Sequence, residues 1–412
     1  MAVISPVMSP VVDPVQPSIV PTTAAGDGRT LDLQFALDRT IVPRVGPTPV
    51  FTRSNIALEL NDGGVTSRAI DVPRFEYDTE AAREIGMAFS SRDTNNVFHN
   101  RDGTNAAWAK ANITATKDQT GVDGVANSAT KLTANAANGT CLQSMSGGGS
   151  WWHGAIVFLR RITGTGDIQY TPDNGTTWFT IAITNDWKEY RIPTEPAKQT
   201  NPTFGFRIVT SGDEIAFDYL ANRPSSQIHG QPKTLIETAG ATNLIEEERL
   251  IISGGDFSSL YNTDEGTILC ELDMKFNTDE SSGDHGLWAL SNGGASANSI
   301  FNQLSAFRGS RMRTRLTTAS VTEWEHYANS TYWNSGATRK KNVVTWKKST
   351  DIIGVWEAGV ELAYDVTTKN WPTTENELRI GKDTATPLSG WLVQFVYWPF
   401  VHSQAVALAM SV

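Results

Sequence analysis

From residue 96 onward the chain keeps one rhythm. Short runs of alternating apolar and polar residues recur, and Gly, Asn, Asp or Pro closes each one. Alternation with period two lines one face of an extended strand, while turn residues every 8–14 positions or so leave no room for a long helix. Strands are expected at 112–116, 128–133, 155–161, 167–170, 178–183, 187–192, 203–209 and 214–220. A second series is expected at 267–276, 286–290, 304–308, 312–317, 341–347, 352–357, 377–380 and 392–397, with a helix only at 403–410. This cadence predicts an all-β chain of two antiparallel β-sandwiches, at 96–222 and 241–412. A junction at 223–240 carries Pro224 and Pro232.

The first 95 residues break the rhythm twice. In residues 1–28, Pro6, Pro10, Pro14, Pro17 and Pro21 block both helix and central strand. What remains is an extended arm carrying Val3, Ile4, Val7, Met8, Val11, Val12, Val15, Ile19 and Val20. Such side chains want burial, and an arm that cannot fold on itself finds it on another protein. Residues 29–95 read as a small β-rich leader module. A strand over 30–36 puts Leu31, Leu33 and Phe35 on one face, 50–53 forms another, and 61–64 is a tight turn. Residues 80–87 are its one expected helix.

Composition narrows the function. A chain of 412 residues exceeds one hydrophobic core, so more than one unit is expected. With 39% hydrophobic residues those units can be packed. A net charge of −10 argues against nucleic acid as partner. The two cysteines, Cys141 and Cys270, lie far apart in strand-like runs and read as buried thiols. No apolar run is long enough for a membrane helix, and the Pro-broken N-terminus lacks the basic start of a secretory signal, so neither insertion nor secretion is expected.

No catalytic constellation stands out. The histidines His99, His153, His229, His285, His326 and His402 have no metal spacing, and no nucleophile elbow or phosphate loop occurs, so neither catalytic residues nor metal or cofactor are assigned. Glu323-Trp-Glu325 would put two carboxylates about 7 Å apart on one strand face, a weak glycosidase pattern better read as a solvated face. Thr171-Pro-Asp173-Asn-Gly175-Thr-Thr177-Trp178 matches an Asp-box turn, a structural motif in which Asp173 accepts backbone N–H bonds, Gly175 supplies positive φ and Trp178 packs beneath. Thirteen Trp outnumber nine Tyr, and exposed rings are stacking platforms for sugars or partners. Trp151, Trp152, Trp324, Tyr327, Tyr332, Trp333 and Trp371 lie near turns and are the candidate contact residues; Trp288, Trp346, Trp356, Trp391 and Trp398 belong to strands and the core. Arg308, Arg311, Arg313 and Arg315 recur along one strand, as a solvated face or a contact for an acidic glycan.

Two stretches resemble known modules. Thr30-Leu-Asp-Leu-Gln-Phe35, Pro49-Val-Phe-Thr-Arg-Ser54, Asp71-Val-Pro-Arg-Phe-Glu-Tyr-Asp78 and Thr94-Asn95 resemble the leader of tailed-phage tail and structural proteins, "FTRAS…VPRFDYDP…RTNLL", whose GLLIEE segment is degraded here to Ile85-Gly-Met-Ala-Phe-Ser90. Ala107-Trp108, 122–129 and Lys131-Leu-Thr133 are similar to the carbohydrate-binding-like jelly roll that follows that leader. Glu265–Glu271, Asn342-Val-Val-Thr-Trp346, Leu378-Arg-Ile-Gly381, Leu388-Ser-Gly390 and Val393-Gln-Phe-Val-Tyr-Trp398 are similar to a concanavalin-like (LamG-type) sandwich. The resemblance implies a virion structural protein without catalytic residues, whose arm docks on capsid or tail proteins while the sandwiches project and meet host glycans. It implies a homo-oligomer, a trimer first, as a capsid decoration, spike or tail fibre or tip at the virion surface. The alternatives are a polysaccharide depolymerase or glycoside hydrolase on a concanavalin-like fold, and a cellular lectin or adhesin.

Overall fold

The computed structural model describes residues 27–412 except 54–56, 62–63, 79–81, 91–92, 146–152, 193–199, 225–236, 242, 246, 274–284, 294, 306–310, 329–338, 383–387 and 389. The expectations for the arm residues Val3 to Val20 and for most of the junction lie outside the described residues. The fold is all-β, with antiparallel sheets stacked as sandwiches.

The larger sandwich has two sheets. In one, Val360–Asp365, Ile352–Glu357, Arg339–Lys347, Glu265–Asp273, Gly390–Trp398, Arg83–Phe89 and Phe75–Asp78 follow one another, and Leu31–Leu33 also pairs with Gly390–Trp398. The other runs Val50–Thr52, Arg249–Ser253, Glu377–Ile380, His285–Asn292, Ala295–Ser305, Arg311–Thr318 and Val321–Tyr327. Between them lies the main core, with Leu33, Phe35, Phe89, Cys270, Trp288, Ile300, Trp346 and Phe395. One polar bridge crosses this interior: Asn302 Nδ2 donates to Asn342 Oδ1 at 3.1 Å, linking the two sheets. The C-terminal helix Gln404–Met410 sets Ala407 against Val396, Trp398 and Trp356.

Residues 29–95, expected as a module of their own, instead complete both of these sheets. The strand expected over 30–36 stops at Leu33, and the chain enters a single helical turn, Phe35–Asp38; Leu31, Leu33 and Phe35 are all buried. The helix expected at 80–87 is corrected to the strand Arg83–Phe89. Its Ala, Arg and Glu favour helix locally, but pairing with Phe75–Asp78 on one side and Gly390–Trp398 on the other buries Ile85, Met87, Ala88 and Phe89. Tertiary burial outweighs local propensity here.

The smaller sandwich is inserted into the larger one. Its sheets are Lys188–Ile192, His153–Thr163, Glu214–Pro224, Ala129–Ala134, Ile113–Gln119 and Phe179–Ile181, Ile168–Thr171, Thr203–Ile208, Gly139–Ser144, Ala109–Ala111. Its own core centres on Trp108, whose ring lies 6.1 Å from Phe204 and 5.6 Å from Phe217. The entering and leaving strands, Asp93–Asn95 and Asn243–Ile245, pair with each other as a short ribbon. A hairpin of the larger unit, Ala57–Asn61 with Gly64–Arg68, lays Leu58 against Ile156, Phe158, Tyr219 and Ala221 of the insert.

Candidate functional site

Period two divides the Arg311–Thr318 strand between two environments. Met312, Thr314 and Leu316 are buried toward the core; Arg311, Arg313 and Arg315 take the opposite face. Arg308 lies outside the described residues. Pairing carries that outer face across the sheet. Glu325, Arg315, Phe301, Ala289 and Arg379 form one row, and Thr317, Ser299, Ser291 and Glu377 form the next. The middle of both rows is buried: Ala289, Ser291, Ser299 and Phe301 are each at most 4% exposed.

The charges on this face are partly neutralised. Arg313 Nε donates to Glu325 at 2.7 Å, and its guanidinium lies 5.3 Å from the Tyr327 ring centre. Arg315 donates through Nε to the Thr322 hydroxyl at 2.9 Å and stands 3.8 Å from Glu325, with its head 5.8 Å from the Phe301 ring. Arg379 gives Nε to Glu377 at 2.5 Å. Arg311 Nε is buried and has no hydrogen-bond partner among the described residues. Among the described residues of this face, the guanidinium groups of Arg311, Arg313, Arg315 and Arg379 stand with the carboxylates of Glu325 and Glu377.

Among the described residues, the aromatic candidates Trp324, Trp371 and Tyr327 do not form an open platform. Trp324 turns inward: it packs on the main core, stacks on His326 at 6.1 Å and donates Nε1 to Asp365 Oδ2 at 3.0 Å. Burial raises the Asp365 carboxyl, but hydrogen bonds from Lys369 and Thr367 outweigh it and hold the group down at about 2. Trp371 likewise packs on the core and donates Nε1 to Asp351 Oδ1 at 2.9 Å. Tyr327 is half-buried beside Arg313. Trp151, Trp152, Tyr332 and Trp333 lie outside the described residues. Trp288, Trp346, Trp356, Trp391 and Trp398 are buried.

Glu323 and Glu325 do not face one way as alternation expects. The register slips between Leu316 and Thr317, leaving Glu323 as a bulge residue that accepts from Asn370 Nδ2 at 3.2 Å, while Glu325 holds Arg313. The Asp-box turn is built on Asp173 and Thr171. Asp173 Oδ1 accepts from Thr177 N at 2.8 Å and from the Thr171 hydroxyl at 2.9 Å, and Gly175 has φ +76°. A Cβ on Gly175 would lie 3.2 Å from the Trp178 ring, which carries Arg207 over it at 4.1 Å.

The structure also brings together residues that sequence reasoning left apart. Arg53 of the Phe-Thr-Arg run and Arg74 of Val-Pro-Arg-Phe both reach Glu248, at 2.8 Å and 2.7 Å, and all three side chains are fully buried. Ser90 N also donates to Glu248 at 2.7 Å, Arg74 continues to Glu76 at 3.0 Å, and Trp391 Nε1 donates to Glu76 at 2.7 Å. Burial raises the Glu248 carboxyl, yet the two guanidinium groups more than offset this and hold it below the ordinary range. Glu248 lies beyond the inserted sandwich, far along the chain from the two arginines it meets, so no local pattern linked them. Arg379, the far side of the arginine-bearing face, had no signal beyond one polar residue between inward Leu378 and Ile380.

Among the described residues no group of three or more His, Cys, Asp or Glu could hold a metal ion, and no helix is long and apolar enough to cross a membrane. No family model matches the chain, and no curated protein matches it. Solved structures are similar to parts of it. The sialidase CBM40 of Ruminococcus gnavus bound to α2,6 sialyllactose is 11% identical with a TM-score of 0.31, over 38% of this chain and 87% of its own. The NanB sialidase of Streptococcus pneumoniae is 12% identical with a TM-score of 0.31, over 39% of this chain and 26% of its own. The receptor-binding domain of botulinum neurotoxin mosaic serotype C/D is 8% identical with a TM-score of 0.31, over 40% of this chain and 39% of its own.

Proposed function

We propose that the chain is a non-enzymatic surface protein of a tailed-phage particle. Its N-terminal arm docks on a capsid or tail protein, its copies assemble as a homo-oligomer with a trimer favoured, and its larger sandwich presents the arginine-bearing face to host glycans. That face carries the reading. It carries Arg311, Arg313, Arg315 and Arg379 on a sheet with a packed core behind it, which suits contact with a charged or polar partner. Its carboxylates are committed to arginines and not set opposite one another as glycosidic hydrolysis requires. The particle assignment is supported by the leader: Arg53 and Arg74, through which the chain resembles phage structural proteins, are the residues that meet at Glu248.

Purified protein is expected to bind host-cell polysaccharide without releasing reducing ends. The full chain, but not one lacking residues 1–28, is expected to incorporate into particles. Release of reducing ends would overturn the non-enzymatic reading. Equal incorporation of both chains would overturn the docking role of the arm.

A further inference from the structure

We infer that in the free protein the apolar N-terminal arm lies back on the chain's own C-terminal helix, with residues 15–20 across its outer face. This goes beyond the particle reading above, because it places the arm before it docks. The helix Gln404–Met410 buries only one side. Ala407 and Ser411 are buried and Met410 half-buried, while Ala405, Val406, Leu408 and Ala409 are exposed. Val406 is 43% exposed, Leu408 38% and Val412, just past the helix, 59%. From Ser403 to Val412 no side chain is charged. A surface helix ordinarily turns charged and polar residues to water, so an outer face this apolar calls for a cover.

The arm starts beside this face. Asp27 and Gly28, where it joins the described chain, sit against the strand end that leads into the helix. Asp27 accepts from Arg29 Nε at 2.9 Å, the Arg29 guanidinium stands 5.8 Å from the Trp398 ring centre, and a Cβ on Gly28 would lie 2.8 Å from the Phe400 ring. Phe400 in turn packs on His402 at 4.9 Å, and Ser403 caps the helix, its hydroxyl accepting from Val406 N at 3.4 Å. Residues 21–26, at about 3.1 Å each in an extended chain, reach roughly 19 Å. A helix of seven residues is about 10 Å long. Ile19 and Val20 therefore come within range of its outer face.

Chemistry and size select this occupant. Residues 14–26 carry no charged side chain, and Val15, Ile19 and Val20 recur between Pro14, Pro17 and Pro21. A Pro-rich segment keeps its backbone solvated while it lays apolar side chains on a surface, so it can cover a helix without joining a sheet. A separate partner would need roughly 800 Å² on each side, more than a helix of this length presents. A tethered segment meets its site at an effective concentration of about millimolar and needs far less contact. Lying together, arm and helix remove each other's apolar surface from water until a stronger acceptor on the particle competes for the arm.

The test is photo-crosslinking of the full-length protein, with no particle present, from a benzophenone side chain in place of Gln404, an exposed position at the edge of the apolar face. Mixing isotope-labelled with unlabelled protein separates links within one chain from links between two. Links within one chain to residues 1–26 are expected, centred near Ile19 and Val20. Ile19→Ser with Val20→Ser keeps the tether and its length and removes nothing from the cores, and should cut the yield about tenfold. Leu408→Ser, the reciprocal change on the exposed helix face, should cut it as well. An unchanged yield in both variants means that tethering alone brings the arm near, and overturns the docking. Links between two chains overturn the own-chain occupant, and no link to the arm overturns the contact outright. None of these results bears on the particle reading, which incorporation tests.

Discussion

Glu248 shows how much one carboxylate can organise. It is fully buried between Arg53 and Arg74, two guanidinium groups that have no route to water. Removing its charge takes a buried carboxylate from both, and breaking a buried pair by deleting one partner typically costs about 3–5 kcal/mol. Glu248→Gln is therefore expected to shift the urea midpoint strongly downward. The effect depends on pH with a definite sign. The folded carboxyl titrates below its ordinary value of 4.5, so its contribution is fully present above that value and is lost as pH falls through the lowered one. The difference between wild type and Glu248→Gln should accordingly shrink in acid unfolding curves. The cysteines make a simpler case. Both are buried, and burial pushes Cys141 up to about 12 and Cys270 upward as well. Neither thiolate forms near neutrality, so iodoacetamide should label neither in the native protein and both after denaturation, as read by intact mass.

At the level of strands and turns, the sequence was readable where one residue's neighbours decide its state. Alternation located the strands of the smaller sandwich except Ala109–Ala111 and Gly139–Ser144, and the Asp-box text located a turn that Asp173 and Thr171 do build. Asp173→Ala would leave the Thr177 N–H without its acceptor, and should cost about 1 kcal/mol in thermal unfolding. Sequence reasoning failed where a distant partner decides. Residues 83–89 look helical in isolation; the strand Gly390–Trp398 that claims them lies far along the chain and leaves no trace in a local window. The clue was Gly86. Its φ is +122°, and a Cβ there would sit 2.1 Å from the Leu392 carbonyl oxygen. Gly86→Ala should destabilise by upward of about 3 kcal/mol, through both strain and backbone clash, and lower the melting temperature accordingly. The Glu323-Trp-Glu325 bulge was hidden for the same reason, since a slip of register is a property of a pair of strands.

For the molecule as a whole, the least readable feature was that residues 29–95 and 249–412 share two sheets with a second sandwich threaded between them. Composition does not change at either boundary, and the resemblances fall in chain order as though the modules were beads. The hairpin bearing Leu58 ties insert to frame. Leu58→Asp would put a charge into an apolar contact with Ile156, Phe158 and Tyr219, which burial does not tolerate. Limited proteolysis should then cut within 57–68 while both sandwiches stay intact; equal cutting of the wild type would show that the hairpin is not docked. The candidate face was half-visible in the same way. The arginines on 311–315 stood out in one strand, but Arg379 and the small residues between are neighbours only across the sheet.

The pairing of Leu31–Leu33 and Arg83–Phe89 with Gly390–Trp398 also sets a timetable. On the ribosome Leu31–Leu33 and Arg83–Phe89 emerge long before Gly390–Trp398, which must receive both. About 300 to 360 residues of synthesis separate them, which at roughly 5–20 residues per second is a wait of some 15–70 s. During that wait the insert, whose partners are all close at hand, can finish folding. The early strands hold apolar edges open until Gly390–Trp398 arrives, so the nascent frame is the stage of this protein's life most in need of a chaperone.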